Sequence, residues 1–294
     1  MDLLATCKER TVFLDGAMGS ELIRRGFHSE TCPEEWNITH AEVVSRIHRE
    51  YFAAGADIVL TNTFGGTRAK LAHYGREGSV AEFNVAAARL ATAVRDVDAP
   101  GGLVAGDIAP SGRFLKPMGD LEPAELRDIF AEQAAALVQG GVDLFCIETM
   151  FDLAEACLAV EAARAAAAGR LVMASLTYGI TARGYRTMMG VDPKRGAAAL
   201  IEAGADVVGC NCSLTAEQMI ELVAELRAAT SAPIMVEPNA GQPRLEDQQP
   251  VYDETPKQFA ACGPALVAQG ANIVGGCCGT TPAHIAALVK AREG

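Results

Sequence analysis

Aromatic residues are scarce in this chain. Phe, Tyr and Trp supply 5% of it, with a single Trp, whereas glycine numbers 29. Few aromatics with many glycines fit an α/β protein with tight βα turns better than a β-sandwich. Positive charge is also short: 25 Lys and Arg stand against 37 Asp and Glu, a net charge of −12. That balance argues against nucleic acid or an anionic membrane surface as a partner. No apolar run is long enough to span a bilayer. The segment Met1–Arg10 carries charge at both ends and does not resemble a signal peptide. Nine cysteines, an odd count with no export signal, speak against a disulfide framework. The expectation is a cytoplasmic protein with reduced thiols.

What is present is rhythm. Short apolar or β-branched runs recur at Val12–Ala17, Ile58–Thr63, Leu103–Ile108, Leu144–Thr149, Leu171–Tyr178, Val207–Cys212, Ile234–Asn239 and Ile273–Cys278. Between them lie segments with apolar residues at the 3.6 period, such as Glu122–Val138, Leu153–Ala166 and Ala216–Ala228. Alternating strands and helices predict βαβ units and a parallel sheet. Eight units with no linker or low-complexity run predict one α/β domain over residues 1–294, a (β/α)8 TIM barrel. A doubly wound open sheet is the alternative. The triplets Gly55-Ala56-Asp57, Gly141-Val142-Asp143 and Gly204-Ala205-Asp206 read as turns into strands at the stability face, without a chemical role.

A barrel gathers the C-terminal ends of its strands into one bowl, where its chemistry resides. Here those ends carry Asp15-Gly16-Ala17, Thr61-Asn62-Thr63, Asp107, Glu148-Thr149, Asn211-Cys212-Ser213, Glu237-Pro238-Asn239 and Cys277-Cys278. The segments Arg24–His40, Ser111–Asp120, Thr181–Pro193 and Gly241–Pro256 would lie over the same face. Taken singly, such residues are often turns or N-caps. Three thiols among them favour function. Cys212, Cys277 and Cys278 lack the paired C-x₂₋₄-C hooks of a structural knuckle, but they suit a catalytic Zn²⁺ with three protein ligands and an open fourth position. That position can take a substrate thiol as its thiolate.

Other readings compete at several points. Cys210 shares the strand parity of Cys212 and is expected to point inward one layer deeper, as core or as the ligand instead. Cys7, Cys32, Cys146, Cys157 and Cys262 read as small buried hydrophobes. Cys277 and Cys278 cannot both face inward along a regular strand, so they share a metal only where the chain leaves the strand; a vicinal disulfide is the rival. His284, in a helix start after Thr281-Pro282, is expected to face solvent, with ligation as the alternative. Gly275-Gly276 and Gly279-Thr280-Thr281 could instead cradle a phosphate. Asp15 and Glu148, buried acids from separate strands, suit an amino acid's ammonium, while backbone N–H groups after Asp15, at Gly16 and Ala17, could hold its carboxylate. Asp107 fits a structural role equally well.

Together, Asp15-Gly16-Ala17-Met18-Gly19, Thr61-Asn62-Thr63-Phe64, Glu148-Thr149, Gly209-Cys210-Asn211-Cys212, Glu237-Pro238-Asn239-Ala240-Gly241 and Gly275-Gly276-Cys277-Cys278-Gly279-Thr280-Thr281-Pro282 resemble the zinc-dependent homocysteine S-methyltransferases. The resemblance runs from the first strand to the last helix. It implies a (β/α)8 barrel, one Zn²⁺ per chain on Cys212, Cys277 and Cys278, no catalytic residue beyond that site, and methyl transfer to homocysteine to give methionine. The substrate-binding set it implies is Asp15, Gly16, Ala17, Asn62, Thr63, Glu148, Asn211, Ser213 and Asn239.

Thr63-Phe64-Gly65-Gly66-Thr67-Arg68, Gly190-Val191-Asp192-Pro193 and the stretch from Pro238 to Tyr252 are similar to the homocysteine-binding domain of cobalamin-dependent methionine synthase. The betaine-using branch cages a quaternary ammonium with aromatic residues after strand two. Gly65 and Gly66 therefore speak against betaine and for a low rim open to a large carrier. The implied donor is a methylated corrinoid protein, with methylcobalamin held on that separate partner. The alternatives are a free donor such as betaine, S-methylmethionine or another sulfonium, another thiol or selenol acceptor such as selenohomocysteine, and a non-catalytic zinc- or thiol-binding partner subunit.

Overall fold

The computed structural model describes residues 1–28, 30–246 and 249–292. Eight parallel strands form the central sheet: β1 (Val12–Phe13), β2 (Ile58–Leu60), β3 (Leu103–Ile108), β4 (Leu144–Met150), β5 (Val172–Leu176), β6 (Val207–Thr215), β7 (Ile234–Asn239) and β8 (Ile273–Val274). Each strand pairs with its chain neighbour, β8 pairs back onto β1, and a Leu14–Ile58 bridge joins β1 to β2. The sheet is thus a closed barrel, as the alternation of elements predicts. The helices of the alternation lie at Pro123–Gly140, Leu153–Ala166 and Ala216–Ala229. No helix among the described residues is long and apolar enough to cross a membrane.

Strand parity divides the core into two shells. Val12, Leu14, Ile58, Leu60, Ala105, Leu144, Cys146, Met173, Val207, Met235 and Ile273 fill the barrel interior. Phe13, Val59, Val104, Phe145, Val172, Val208, Cys210 and Val236 belong to the shell packed against the helices. Strands covered on both faces are continuous apolar runs, as buried parallel strands must be.

The N-terminal face is held by a repeated clamp. Asp57 accepts from the backbone N of Phe13 (2.9 Å) and is paired with Arg10. Asp143 does the same for Val104 N (2.8 Å) with Arg95, and Asp206 for Val172 N (2.8 Å) with Arg164. A fourth copy uses Asn272, which accepts from Ile234 N (3.0 Å) and from Arg227 (3.3 Å). Each turn begins at a glycine with φ between +94° and +112°, a conformation costly for other residues. The three triplets legible in the sequence are therefore structural, and Gly270-Ala271-Asn272 completes the set.

Several strands are shorter than their apolar runs. β1 ends at Phe13 and β8 at Val274, so Asp15 and the cysteine pair sit in loops beyond the sheet. β2 stops at Leu60, leaving Thr61-Asn62-Thr63 in a turn.

Candidate active site

Continuing inward parity past the apolar layers brings Asp107, Glu148, Asn211 and Glu237 to the top of the barrel interior, all between 0% and 7% exposed. Asp15 joins them from the loop after β1, 1% exposed, with Oδ2 accepting from Leu60 N at 2.9 Å. Above them opens a cavity of about 370 Å³, lined by Gly16, Ala17, Phe64, Asp107, Glu148, Glu237, Cys277 and Cys278 among others.

The carboxylates have few partners. Asp15 Oδ1, Asp107 Oδ1 and Glu237 Oε2 are buried without a hydrogen bond, as is Asn239 Oδ1. Burial, and then the negative charge of neighbouring acids, pushes Asp107 and Glu237 well above the usual carboxyl range. Asp15 rises for the same two reasons, opposed by the Leu60 amide. Glu148 is pushed up to about 7 by burial and by the charge at Cys278. Four buried acids without a cation are out of balance unless they are protonated or receive one.

Asn211 organises one side of this bowl. Its Oδ1 accepts from Thr149 N (2.8 Å) and Ser175 Oγ (2.7 Å). Its Nδ2 donates to Glu148 and Thr149 and stands 3.8 Å from the Cys277 sulfur.

The cysteine sulfurs meet as their spacing predicts, by a different local route. Cys210 is a correction: it points outward, not inward, and packs against Met219 of the following helix at 4.0 Å. A regular strand would send Cys212 the same way. Instead Cys212 and Ser213 adopt φ of +62° and +61°, and the β6–β7 register slips between Asn211 and Thr215. This left-handed pair re-aims the Cys212 thiol into the bowl. It costs on the order of 1–2 kcal/mol per residue, the kind of local strain found at ligand-binding positions.

On the opposite wall, the chain leaves β8 through Gly275-Gly276, whose Cα atoms lie against Leu14 and Thr280 where a Cβ would collide at 2.6 and 2.5 Å. The turn sets Cys278 Sγ 3.9 Å from both Cys212 Sγ and Cys277 Sγ, and all three sulfurs lie within 4.8 Å of one another. Three sulfurs on one tetrahedral zinc at 2.3 Å stand about 3.8 Å apart, so the trio fits Zn²⁺. All nine cysteines are free thiols, and no vicinal bond joins Cys277 to Cys278. Within the trio, S–H donation from Cys212 and Cys277 lowers Cys278 to about 3, and Cys277 is raised as the donor.

Two further readings are revised. His284 is buried, not solvent-facing: its Nδ1 bonds Thr281 at the helix N-cap and its Nε2 meets the Glu254 carbonyl at 2.9 Å. Both ring nitrogens are occupied, so it is no metal ligand. Gly65 and Gly66 are explained by packing. A Cβ at Gly65 would meet the Glu34 carboxylate at 2.8 Å, and one at Gly66 the Asn84 amide at 2.5 Å. Glu34 also accepts from Gly65 N (2.7 Å), and Phe64 and Tyr74 still line the cavity.

The remaining candidates divide. Gly16 and Ala17 line the cavity, but the Ala17 amide already donates to Thr280 Oγ1 at 3.1 Å. Among the described residues, the first-turn amides with no partner are instead those of Met18, Gly19 and Ser20, at the start of the helix Met18–Arg24. Asn62 lines the cavity while tying the loop to the Pro33 carbonyl at 2.9 Å. Thr63 is fully buried and donates to the Asp107 carbonyl at 2.7 Å, which leaves it a tie between strand ends. Ser213 lines a second chamber beside Cys212. Sequence reasoning placed Glu237 among the strand ends of the bowl but gave it no substrate-binding role, although its inward parity with Met235 marks it. It passed over Tyr252, whose ring covers Gly279 next to Cys278.

A sequence model of the homocysteine S-methyltransferase family matches residues 12–292. Methionine synthase of Mycobacterium leprae (strain TN) is 34% identical across 100% of this chain, and that of Mycobacterium tuberculosis (strain ATCC 25618 / H37Rv) is 34% identical across 99%. The chain spans 26% and 25% of those relatives, about a quarter of their length. The metallated form of the homocysteine methyltransferase MmuM from Escherichia coli superimposes with a TM-score of 0.80 at 25% identity, covering 97% of this chain and 98% of that one. With the barrel, the cysteine trio and a match over nearly all its length, this chain belongs to the homocysteine S-methyltransferase family.

Proposed function

We propose that this chain transfers a methyl group to the sulfur of homocysteine, giving methionine. In this reading Cys212, Cys277 and Cys278 hold one Zn²⁺, and Asp15 and Glu148 take the substrate ammonium, assisted by Asp107 and Glu237. The observation that carries it is the junction of three thiols with a bowl of buried acids, of which Asp15, Asp107 and Glu237 each keep an oxygen without a hydrogen-bond partner. Zn²⁺, when bound, supplies a Lewis acid that favours the thiolate form of a substrate thiol at neutral pH.

The chain's own residues orient the amino acid. The acids fix its ammonium, and the amides of Gly16 and of the first helical turn at Met18–Ser20 face its carboxylate. Asn211 holds Glu148 against the cysteine wall. A bound zwitterion would relieve the repulsion among the acids, so binding and charge balance favour the same ligand. Alignment of sulfur with the incoming methyl carbon then supplies much of the rate.

For the donor we propose a methylated corrinoid carried on a separate protein. The 34% identity to methionine synthases, of which this chain matches about a quarter, supports it. A free small donor is the second reading, favoured by a match to MmuM that covers nearly all of both chains. Turnover of zinc-loaded protein with homocysteine against betaine, S-methylmethionine, dimethylsulfoniopropionate, methylcobalamin and a methylated corrinoid protein tests both. Methionine formed with none of these donors would reject the reaction and leave a zinc- or thiol-binding subunit.

A further inference from the structure

The cysteine trio is a partition. Cys277 and Cys278 line the acidic cavity, whereas Cys212 and Ser213 line a second chamber of about 360 Å³. The two spaces differ in chemistry. The first is walled by carboxylates; the second has none, and its charged residue is Arg186, from the hairpin Gly179–Arg186 over the end of β5. Among the described residues Arg186 pairs with no carboxylate and donates to the Tyr185 carbonyl at 2.6 Å. Phe151 and Met188 complete the apolar side, Met188 being 78% exposed. The three non-glycine residues held at φ near +60° beside the trio, Thr149, Cys212 and Ser213, all face this chamber, so local backbone strain is concentrated on its wall.

We infer that the second chamber is the methyl donor's subsite and that Arg186 pairs with an anionic group of the donor. The inference rests on the homocysteine reading above. An amino acid seated in the acidic bowl brings its sulfur to the cysteines from that side, so the methyl carbon must arrive from a direction the amino acid leaves open. Cys212 is the cysteine that faces such a space. In the transfer, the homocysteine thiolate forms the new S–C bond as the methyl–donor bond breaks, and that bond's electron pair leaves with the donor. Arginine's planar fork suits a carboxylate or a phosphate. A carboxylate would come from a free zwitterionic onium donor, and a phosphate from a corrinoid carrier.

Calorimetric titration of the zinc-loaded full chain with dimethylsulfonioacetate, which carries a carboxylate, and with trimethylsulfonium, which does not, tests the small-donor arm. Arg186→Gln is expected to weaken the carboxylated probe about tenfold and leave trimethylsulfonium unchanged, with Arg186→Lys intermediate. Steady-state kinetics with a methylated corrinoid protein form the other arm, where Arg186→Gln raises the carrier KM about tenfold with the homocysteine KM unchanged. A loss in either arm supports the subsite and names the source of the anion; no loss in both overturns it. The visible spectrum of the Co²⁺-substituted protein separates this from failure of the parent reading. Homocysteine should perturb it equally in wild type and Arg186→Gln, and no perturbation in either rejects homocysteine at the trio, whatever Arg186 does.

Discussion

The two faces of this barrel treat their polar side chains in opposite ways. At the N-terminal face, Asp57, Asp143, Asp206 and Asn272 each meet a strand amide and an arginine. At the C-terminal face, Asp15, Asp107 and Glu237 keep buried oxygens with no partner. An acid whose partners are all within the chain contributes to stability, and one left open is available to a ligand. The contrast separates structure from function on physical grounds, since an unpaired buried acid persists only at a stability cost.

The sharpest way to break the comparison is at the thiols. Cys277→Ala or Cys278→Ala should abolish stoichiometric zinc and methyl transfer, while Cys210→Ala, which alters only the helix-facing shell, keeps both. Atomic absorption on the purified variants decides it, and full zinc in the first two would refute the assignment. Next is the sign of the stability change. Asp206→Ala strips a charge-assisted bond from Val172 and Arg164 and should lower unfolding free energy by about 2 kcal/mol with zinc content unchanged. Asp15→Asn should do the reverse, raising the melting temperature of substrate-free protein. Its homocysteine affinity should fall by roughly 1.5–3 kcal/mol, as should that of Glu148→Gln. A lower melting temperature in Asp15→Asn would show that the carboxylate is already compensated.

The smallest effects are pH-linked and oppose one another. Burial lowers His48 to about 4 from an ordinary 6.5, so between those values the unfolded chain binds the extra proton and stability falls as pH falls. Glu148 is raised to about 7 from 4.5, so over that window the folded chain binds the proton and stability rises as pH falls. Each is worth about 2 kcal/mol between pH 7 and pH 5, and they largely cancel in the wild-type protein. Denaturant melts of metal-free protein at the two pH values should show Glu148→Gln losing more stability on acidification than wild type, and His48→Leu less. Parallel behaviour of all three would remove both groups as the source.

Much of this was legible in the sequence because two periods carry it. Alternation of apolar runs with helical segments gave the barrel, and inward parity within strands marks Asp107, Glu148 and Glu237 as one layer. Parity fails where the backbone leaves the regular strand. Nothing in Asn211-Cys212-Ser213 announces two consecutive left-handed residues, so Cys210 was placed facing inward. Gly65 and Gly66 looked like a missing aromatic wall because Glu34 and Asn84, which require those glycines, lie 31 and 18 residues away. Asn272 escaped notice because it performs with an amide what its three counterparts perform with carboxylates.

The clamp also divides the chain into quarters. Each one ties an even-numbered strand's entry turn to the odd-numbered strand before it, through an arginine from the helix preceding that odd strand. Among the described residues, no clamp spans from an even strand to the next odd one. The barrel is therefore most tolerant of being reopened at those joints. New termini placed in the exposed stretch His73–Gly78, after β2, leave all four clamps within continuous chain. The same cut between β1 and β2 separates Asp57 from Arg10 and Phe13 in sequence and turns a local closure into one that must form across the whole molecule.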